Sequence, residues 1–477
     1  MSVEPTFFVA MAVDEKDSGR RGGAGKGAAA QDASGERVRA IPAIRESGNG
    51  SRPKRFLFIS KWALIQDLAW EVRKEGHDVR YHIVSKADRA VADGFVEKVE
   101  RWEDHKEWAD VIVFDDCEFG AIADRLRRDG KTVVGGTSYT DKLEMDRDFG
   151  QEEMKSVGMT TLPKWDFDSF DTAIDFMKEN PGRYVIKPSG RAQNEKVLSF
   201  VGQEEDGLDV LTMLRHYKKG WASKMKVFQL QKFVAGVEIA VGAFFNGTEF
   251  VLPVFVNFEH KRMFNDEIGP QTGEMGTAGF WYPSNTIFQQ TLLKMKDKLA
   301  ACRYTGYVDI NCIVNARGIY PLEFTCRFGY PTINLQIEGV LSKWSDLLTG
   351  LAKGEPVNFR VKKGFQICVV VAVPPFPFTD LDTFRKFSED AAVIFKKPTP
   401  TGVHPCDVRQ VDGDWRLAGS SGYALVVTGS GSTMGDARRE AYNRIKNIII
   451  PNMFYRTDIG ERWYREGDLL QTWGYLN

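Results

Sequence analysis

Apolar and polar positions alternate most clearly between residues 303 and 334, where two predicted strands flank a short turn signal. The first strand covers 307–314 and the second covers 319–324, and both are rich in apolar side chains. Asp309 interrupts the first strand and Glu323 interrupts the second. Burying an unpaired carboxylate costs several kcal/mol, so two acids in paired apolar strands indicate a compensating cation. The alternative is a pair of surface acids on a solvated strand face.

Two carboxylates on adjacent strands match the way in which proteins hold Mg²⁺ beside a polyphosphate. Mg²⁺ takes one or two protein carboxylates and completes its shell from substrate phosphates. Asp309 and Glu323 are therefore predicted ligands of Mg²⁺ (or Mn²⁺). Arg327 follows the second strand closely enough to neutralise phosphate charge.

Residues 54–140 alternate short apolar strands with amphipathic helices. RFLFIS predicts a buried strand, ALIQDLAWEVRKEG a helix, and HDVRYHIV the next strand. This order predicts a parallel sheet with right-handed crossovers, and hence a small doubly wound domain. The loop at 60–63 after its first strand lacks glycine and is a poor phosphate cradle.

Two lysines flank a predicted turn in the middle of the chain. A helix is predicted over 141–157, and a later strand delivers Lys187 to a loop that contains Lys196. Lysines on either side of a turn between strands can hold phosphates as point charges. The ordinary alternative is a surface hairpin that happens to carry lysines.

A long run of predicted strands follows. The segment from Gln231 to Val234 would connect strands and could read the edge of an adenine ring, and Glu238 could bind ribose hydroxyls. The alternative is that Glu238 alternates outward on an edge strand. The charged residues 260–262 precede a glycine-rich stretch at 268–283, which predicts an irregular loop whose backbone amides could close over an anion.

Composition limits the possible partners. Lys plus Arg number 64 and Asp plus Glu number 65, so there is no basic field for nucleic acid. No apolar run approaches the roughly 18 to 20 residues of a membrane span. The six cysteines lack metal-site spacing and indicate reduced, mostly buried thiols of a cytoplasmic protein. We expect small-molecule partners and a monomer or homodimer.

Four segments of the chain resemble the ATP-grasp superfamily, and within it the glycinamide ribonucleotide synthetase family. They are RYVIKPSG at 183–190, EHKRMFNDEIGPQTGEMG at 259–276, YPLEFTCRFGYP at 320–331 and GYALVVTGSGSTMGDARREAYNRIKNIIIPNMFYRTDIGER at 422–462, which contains RTDIG at 456–460. The second and fourth are the most specific, because their spacing of glycine, proline and charged residues is unusual. The resemblance extends over roughly residues 54–463.

The resemblance implies a multidomain α/β and α+β fold. It implies a doubly wound N-terminal domain over 54–140, an ATP-grasp domain of two α+β subdomains over 141–340 with a lid at about 164–235, and a small mixed C-terminal domain over 341–477. It implies an ATP-dependent carboxylate–amine ligase of purine biosynthesis that works through an acyl phosphate.

The resemblance also implies roles for individual residues. It implies ATP contacts from Lys187, Lys196, Gln231, Lys232, Val234 and Glu238, Mg²⁺ contacts from Asp309 and Glu323, catalytic roles for Arg262 and Arg327, and substrate contacts from Lys261, Gly273 and Lys61.

The chain departs from the family pattern at three places. Thr325 replaces a metal-ligating asparagine, residues 330–332 replace an Asp-Pro-Glu sequence, and 61–66 replace a glycine-rich loop. Three functions stay open: a ligase that joins phosphoribosylamine to glycine, a ligase of the same mechanism with another amine and carboxylate, and an inactive nucleotide-binding scaffold.

The first 53 residues are rich in Gly, Ala, Ser and Arg, and such a segment buries too little surface to offset its ordering entropy. We predict a disordered arm that folding and catalysis do not require. A chain that begins at Ser51 should match the full chain in circular dichroism and in ADP release. Loss of soluble protein on this truncation would contradict the prediction.

Overall fold

The computed structural model of the chain describes residues 52–189, 198–398 and 401–476, which belong to one unit of the fold. The predicted arm therefore lies almost wholly outside the described residues. Lys196 and its loop also lie outside them.

A five-stranded sheet forms the first part of the described chain, and all of its strands are parallel. Its elements are β1 (Arg55–Ser60), α1 (Gln66–Lys74), β2 (Asp78–Ile83), β3 (Glu97–Lys98), β4 (Val111–Phe114), α2 (Gly120–Arg128) and β5 (Val133–Val134). The strand order is β3-β2-β1-β4-β5, so the winding reverses between β1 and β4. Doubly wound sheets bind ligands at the carboxyl ends of the strands beside this reversal.

The helix predicted over 141–157 is wrong, because the structure has two helices there. They are α3 (Ser138–Met145) and α4 (Arg147–Ser156). Asp146 separates them in an extended conformation, and its side chain accepts a hydrogen bond from the Phe149 amide. An aspartate at this position caps a new helix, a local effect that the apolar periodicity does not reveal.

A four-stranded antiparallel sheet follows, with the order β6-β9-β7-β8. Two helices pack on it and enclose a separate apolar core. Its elements are β6 (Lys164–Phe167), α5 (Phe170–Glu179), β7 (Tyr184–Pro188), β8 (Phe200–Val201), α6 (Leu208–Gly220) and β9 (Phe228–Lys232).

Five long strands then build one end of a second antiparallel sheet. The elements are β10 (Val237–Asn246), β11 (Phe250–Phe264), β12 (Ile268–Tyr282), α7 (Thr286–Gln290), α8 (Lys296–Ala301), β13 (Thr305–Asn315), β14 (Gly318–Thr325) and α9 (Thr332–Gly339). Strands β13 and β14 pair antiparallel, which confirms the predicted hairpin.

The glycine-rich stretch at 268–283 is not the irregular loop that its composition predicts. Most of it forms β12, which pairs with β11 along one edge. Glycine is depleted in strands because it has no side chain to pack, but ladder hydrogen bonds on both edges can hold it in an extended conformation. The other edge of β12 pairs with a strand from the last part of the chain.

The last part of the chain extends this sheet. Its elements are α10 (Trp344–Lys353), β15 (Phe365–Val371), α11 (Leu381–Phe387), β16 (Ala392–Phe395), β17 (Val403–Pro405), β18 (Val408–Val411), β19 (Asp414–Leu417), β20 (Leu425–Gly431), α12 (Met434–Ile445), β21 (Ile448–Ile449) and α13 (Trp463–Thr472). The complete order is β14-β13-β10-β11-β12-β15-β20-β17, and β18-β19-β16-β21 form a smaller antiparallel sheet.

The mixed α/β and α+β fold class is confirmed by these sheets. The domain limits near 140 and 340 stay predictions. All six cysteines are free and five of them are buried, as the sequence predicts. Within the described residues, no helix combines the length and the apolar character needed to cross a membrane.

Candidate active site

A cavity of about 260 Å³ lies between the four-stranded sheet and the long strands β10 to β14. Apolar side chains line it from both of these sides: Leu162, Val185, Val201 and Phe233 belong to or adjoin the four-stranded sheet, and Ile313 and Leu322 lie on β13 and β14. The sequence-predicted residues that line the cavity are Lys187, Gln231, Lys232, Val234, Glu238, Lys261, Gly273 and Glu323. An apolar slot with a few convergent polar groups is typical of a small-molecule site.

Lys187 brings an uncompensated charge to this cavity. It lies on β7, is half-buried, and makes no hydrogen bond or ion pair with the side chains of the described residues. Burial lowers the pKa of its ammonium group to about 7, and the nearby Arg147 acts in the same direction. A desolvated lysine without a partner is well suited to receive an anion.

Lys261 brings a second charge, but this one is compensated. Its Nζ lies 2.7 Å from Glu238 Oε1 and 3.0 Å from Glu259 Oε2. Burial opposes the charge of Lys261, yet the two carboxylates hold its pKa well above the usual range. In return, Lys261 lowers the pKa of Glu238.

The adjacent strands β13 and β14 place Asp309 and Glu323 on one face of the hairpin. Asp309 pairs in register with Thr325, and Asn311 pairs with Glu323, so the two acids are diagonal neighbours across the strands. Asp309 is buried, and its Oδ1 has no hydrogen-bond partner among the described residues. Burial, and then the charge of Glu259, raise the pKa of Asp309 well above its usual range.

Glu323 faces the cavity, whereas Asp309 does not line it. Glu323 Oε2 lies 3.4 Å from a guanidinium nitrogen of Arg147. Within the described residues, no group of three or more His, Cys, Asp or Glu side chains is arranged to hold a metal ion. The hairpin therefore offers two carboxylates and no larger cluster.

The two arginines predicted to be catalytic lie outside the cavity. Arg327 Nε lies 3.1 Å from Glu144 Oε1 and 3.2 Å from Asp116 Oδ1, so its charge joins α3 to the loop after β4. Burial opposes this charge, but the two carboxylates raise the pKa of Arg327 well above the usual range. Arg262 donates to the Gly269 carbonyl at 2.8 Å.

Lys61 lies at the carboxyl end of β1, beside the reversal of the parallel sheet. Its Nζ forms an ion pair with Glu118, and its backbone amide donates to Asp115 Oδ1 at 3.1 Å. Burial, and then the charge of Asp116, raise the pKa of Asp115 to about 7. The crevice at β1 and β4 is thus rich in carboxylates, and the charge of Lys61 is already paired.

The sequence analysis does not identify several residues in or near the cavity. Arg147 begins α4, and Gln271 and Thr272 belong to the stretch predicted as a loop. Nothing in the local pattern singles out Arg147. Glu259 carries a detectable signal, because it is an acid at the end of a long apolar strand run and directly precedes the charged residues 260–262.

The chain is similar in sequence to known proteins. Residues 145–333 match the sequence profile of the family described as phosphoribosylglycinamide synthetase, ATP-grasp (A) domain. The phosphoribosylamine–glycine ligase of Listeria monocytogenes is 28% identical over 399 residues, which cover 81% of this chain and 90% of the relative.

Solved structures are similar in fold. The phosphoribosylamine–glycine ligase of Thermotoga maritima superimposes with a TM-score of 0.64 at 20% identity, covering 85% of this chain and 100% of the other. The biotin carboxylase domain of the Hydrogenobacter thermophilus 2-oxoglutarate carboxylase gives 0.60 at 12% identity, covering 88% and 97%. Residues 145–333 thus match an ATP-grasp domain, and the chain is similar in sequence and fold to the phosphoribosylamine–glycine ligases.

Proposed function

We propose that the chain is an ATP-dependent carboxylate–amine ligase that joins glycine to 5-phosphoribosylamine. The observation that carries the proposal is the cavity, in which an apolar slot meets the uncompensated Lys187 and the carboxylate of Glu323. The names of the relatives support the reaction, since they are phosphoribosylamine–glycine ligases. The structure of the Hydrogenobacter carboxylase domain, with the same fold, holds MgADP.

The nucleotide would bind with its base in the apolar slot. Gln231 is buried there, and its Nε2 has no hydrogen-bond partner among the described residues, so it offers a donor to a nitrogen of the base. Glu238 lies where ribose hydroxyls would donate to its carboxylate. Lys187 would receive the phosphates, whose negative charge favours its protonated form.

The hairpin acids fit a magnesium ion. Asp309 has a buried oxygen without a partner, and a divalent cation would compensate its charge. Mg²⁺ needs only one or two protein carboxylates when phosphates complete its shell, so Asp309 and Glu323 suffice. When bound there, Mg²⁺ would neutralise charge on the transferring phosphoryl group.

The reaction proceeds in two displacements. A glycine carboxylate oxygen attacks the γ-phosphorus of ATP and ADP leaves, which gives an acyl phosphate. The amine nitrogen then attacks the acyl carbon, the bond to phosphate breaks, and the amine loses a proton. No side-chain nucleophile is needed, so the protein contributes positioning and charge neutralisation, chiefly through Lys187.

A second candidate is the same chemistry with another amine or carboxylate. The pairing of Lys61 with Glu118 favours it, because a phosphate at the β1–β4 crevice would have to compete with that carboxylate. The buried, unpartnered oxygen of Asp309 argues against an inactive scaffold, since such a group is costly without a ligand. In either case we propose small-molecule partners and a cytoplasmic location.

ATP binding should be accompanied by proton uptake at Lys187. The free ammonium has a pKa of about 7, so at about pH 8 it is roughly nine-tenths neutral, and the bound phosphates should recharge it. Titration calorimetry in two buffers of different ionisation enthalpy measures the uptake. Lys187→Met should lose it and bind ATP more weakly.

A matched control is Lys164→Met, because the Lys164 ammonium already pairs with Asp148 and Asp166. This variant should keep the proton uptake of the original chain. Equal uptake in the original chain and in Lys187→Met would contradict the assignment of Lys187 to the phosphates.

Replacing Glu323 by Gln keeps the side-chain shape and removes its charge. ATP turnover at limiting Mg²⁺ should fall by roughly 100-fold or more, with an unchanged melting temperature. Glu249→Gln changes an exposed acid and serves as the control. Thr325→Asn should leave the Mg²⁺ dependence intact or improve it. Near-normal turnover of Glu323→Gln at limiting Mg²⁺ would show that the metal lies elsewhere.

The amine can be identified by ADP release at a fixed glycine concentration, with fresh phosphoribosylamine compared with a panel of unphosphorylated amines. Turnover with phosphoribosylamine alone, weakened in Lys61→Ala and strengthened in Glu118→Gln, supports the first candidate. Turnover with another amine alone supports the second candidate. ATP binding without ADP release for every pair would favour the scaffold.

A further inference from the structure

The RTDIG motif at 456–460 has no part in the proposed reaction, yet it contacts the turn of a hairpin whose strands carry part of the cavity lining. Its segment crosses the tip of the hairpin formed by β11 and β12, at residues 262–267. The two segments are far apart in the chain, with 192 positions between Asn265 and Thr457. This contact brings a distant segment of the chain to the hairpin that carries part of the cavity lining.

Arg456 is the centre of this contact and is only 1% exposed. One of its terminal nitrogens donates to the Arg262 carbonyl at 2.9 Å, and the other donates to Glu267 Oε1 at 2.8 Å. Asp458 accepts from the same guanidinium at 2.8 and 2.7 Å. Bidentate pairs of this kind fix orientation as well as charge.

The neighbours of Arg456 hold the tip itself. Asp458 accepts from the Asp266 amide at 3.1 Å, and the side chains of Asn265 and Thr457 meet at 2.7 Å. Asp266 and Glu267 both have a φ of 58°, a left-handed conformation that costs free energy for residues other than glycine. The contacts from 456–458 offset this cost and hold the turn in place.

Arg462 holds the base of the same hairpin. Its guanidinium donates to the Glu259 carbonyl at 2.7 Å and to the Glu238 carbonyl at 3.2 Å. Glu259 and Glu238 are the two partners of Lys261. The segment 456–462 therefore fixes the tip of the hairpin and also the strands that carry Lys261, Glu238 and Glu259.

Part of the cavity lining lies between the tip of the hairpin, which Arg456 holds, and its base, which Arg462 holds. Lys261 on β11 and Gln271, Thr272 and Gly273 on β12 line the cavity. Thr272 donates to the Lys261 carbonyl at 2.9 Å, which couples the two strands. A displacement of the hairpin would move all four residues together.

We propose that Arg456, Asp458 and Arg462 are positioning residues that set this hairpin against the bound nucleotide. The inference rests on the proposed function, because it assumes that the cavity takes ATP. None of the three side chains lines the cavity. They act through the backbone carbonyls and the acids described above.

The test uses mild changes at the exposed side of the contact. Glu267→Gln removes the charge of one partner of Arg456, and Asn265→Ala removes the side chain that bonds Thr457, while the buried Arg456 stays unaltered. Each should raise the KM for ATP by roughly three- to tenfold, as the weakening or loss of one such hydrogen bond does, with kcat and the melting temperature unchanged. Deuterium exchange of the amides in 262–273 should become faster.

Glu461→Gln is the matched control. It removes the ion pair between Glu461, which lies in the segment 456–462, and Arg438 on α12. This ion pair does not involve the hairpin. It should leave the KM for ATP and the exchange rates unchanged.

The outcomes separate the two proposals. If the original chain does not bind ATP, the proposed function fails and the positioning role towards a nucleotide fails with it, and faster exchange in the tip variants would show only that the segment holds the hairpin. If the original chain binds ATP and the tip variants match it in KM and exchange, the inference is overturned. A lower melting temperature with unaltered KM and exchange would show a purely structural contact and would also overturn it.

Discussion

The cavity depends on the compensation of one half-buried cation. Lys261 is paired with Glu238 on β10 and with Glu259 on its own strand, and Asn311 on β13 donates to Glu259 at 2.8 Å. Removing either carboxylate would weaken this compensation, at a cost that solvent screening reduces because the Lys261 side chain is 30% exposed. The three strands therefore share one ionic constraint, and a shift in their register would break it.

The difference between paired and unpaired charges shows where chemistry can occur. Lys261 and Arg327 are cations whose charges are satisfied by the protein, so they organise the site. Lys187 has no ion-pair partner among the described residues, and Asp309 Oδ1 accepts no hydrogen bond from them. Burial lowers the pKa of Lys187 and raises the pKa of Asp309, so both shifts favour the neutral side chain. In the proposed function, a polyphosphate with a divalent cation would restore both charges together.

The sequence predicts the parts of the site that local pattern controls. The hairpin of β13 and β14 is recognisable because acids interrupt an apolar alternation, and this signal needs no knowledge of distant contacts. The stretch 268–283 is predicted wrongly because its glycines are typical of loops, whereas pairing with β11 and β15 makes it a strand. Arg147 reaches Glu323 from 176 positions away, and no local pattern encodes such a contact.

The order of synthesis gives the contact between the hairpin and the RTDIG segment a further consequence. A ribosome adds about 5 to 20 residues per second, so the 192 positions between Asn265 and Thr457 take roughly 10 to 40 s to translate. During that interval the residues of β11 and β12 are already made, but their turn lacks the contacts from residues 456–458. A nascent chain therefore completes the anchoring of this hairpin only after the described strands β1 to β21 have been made.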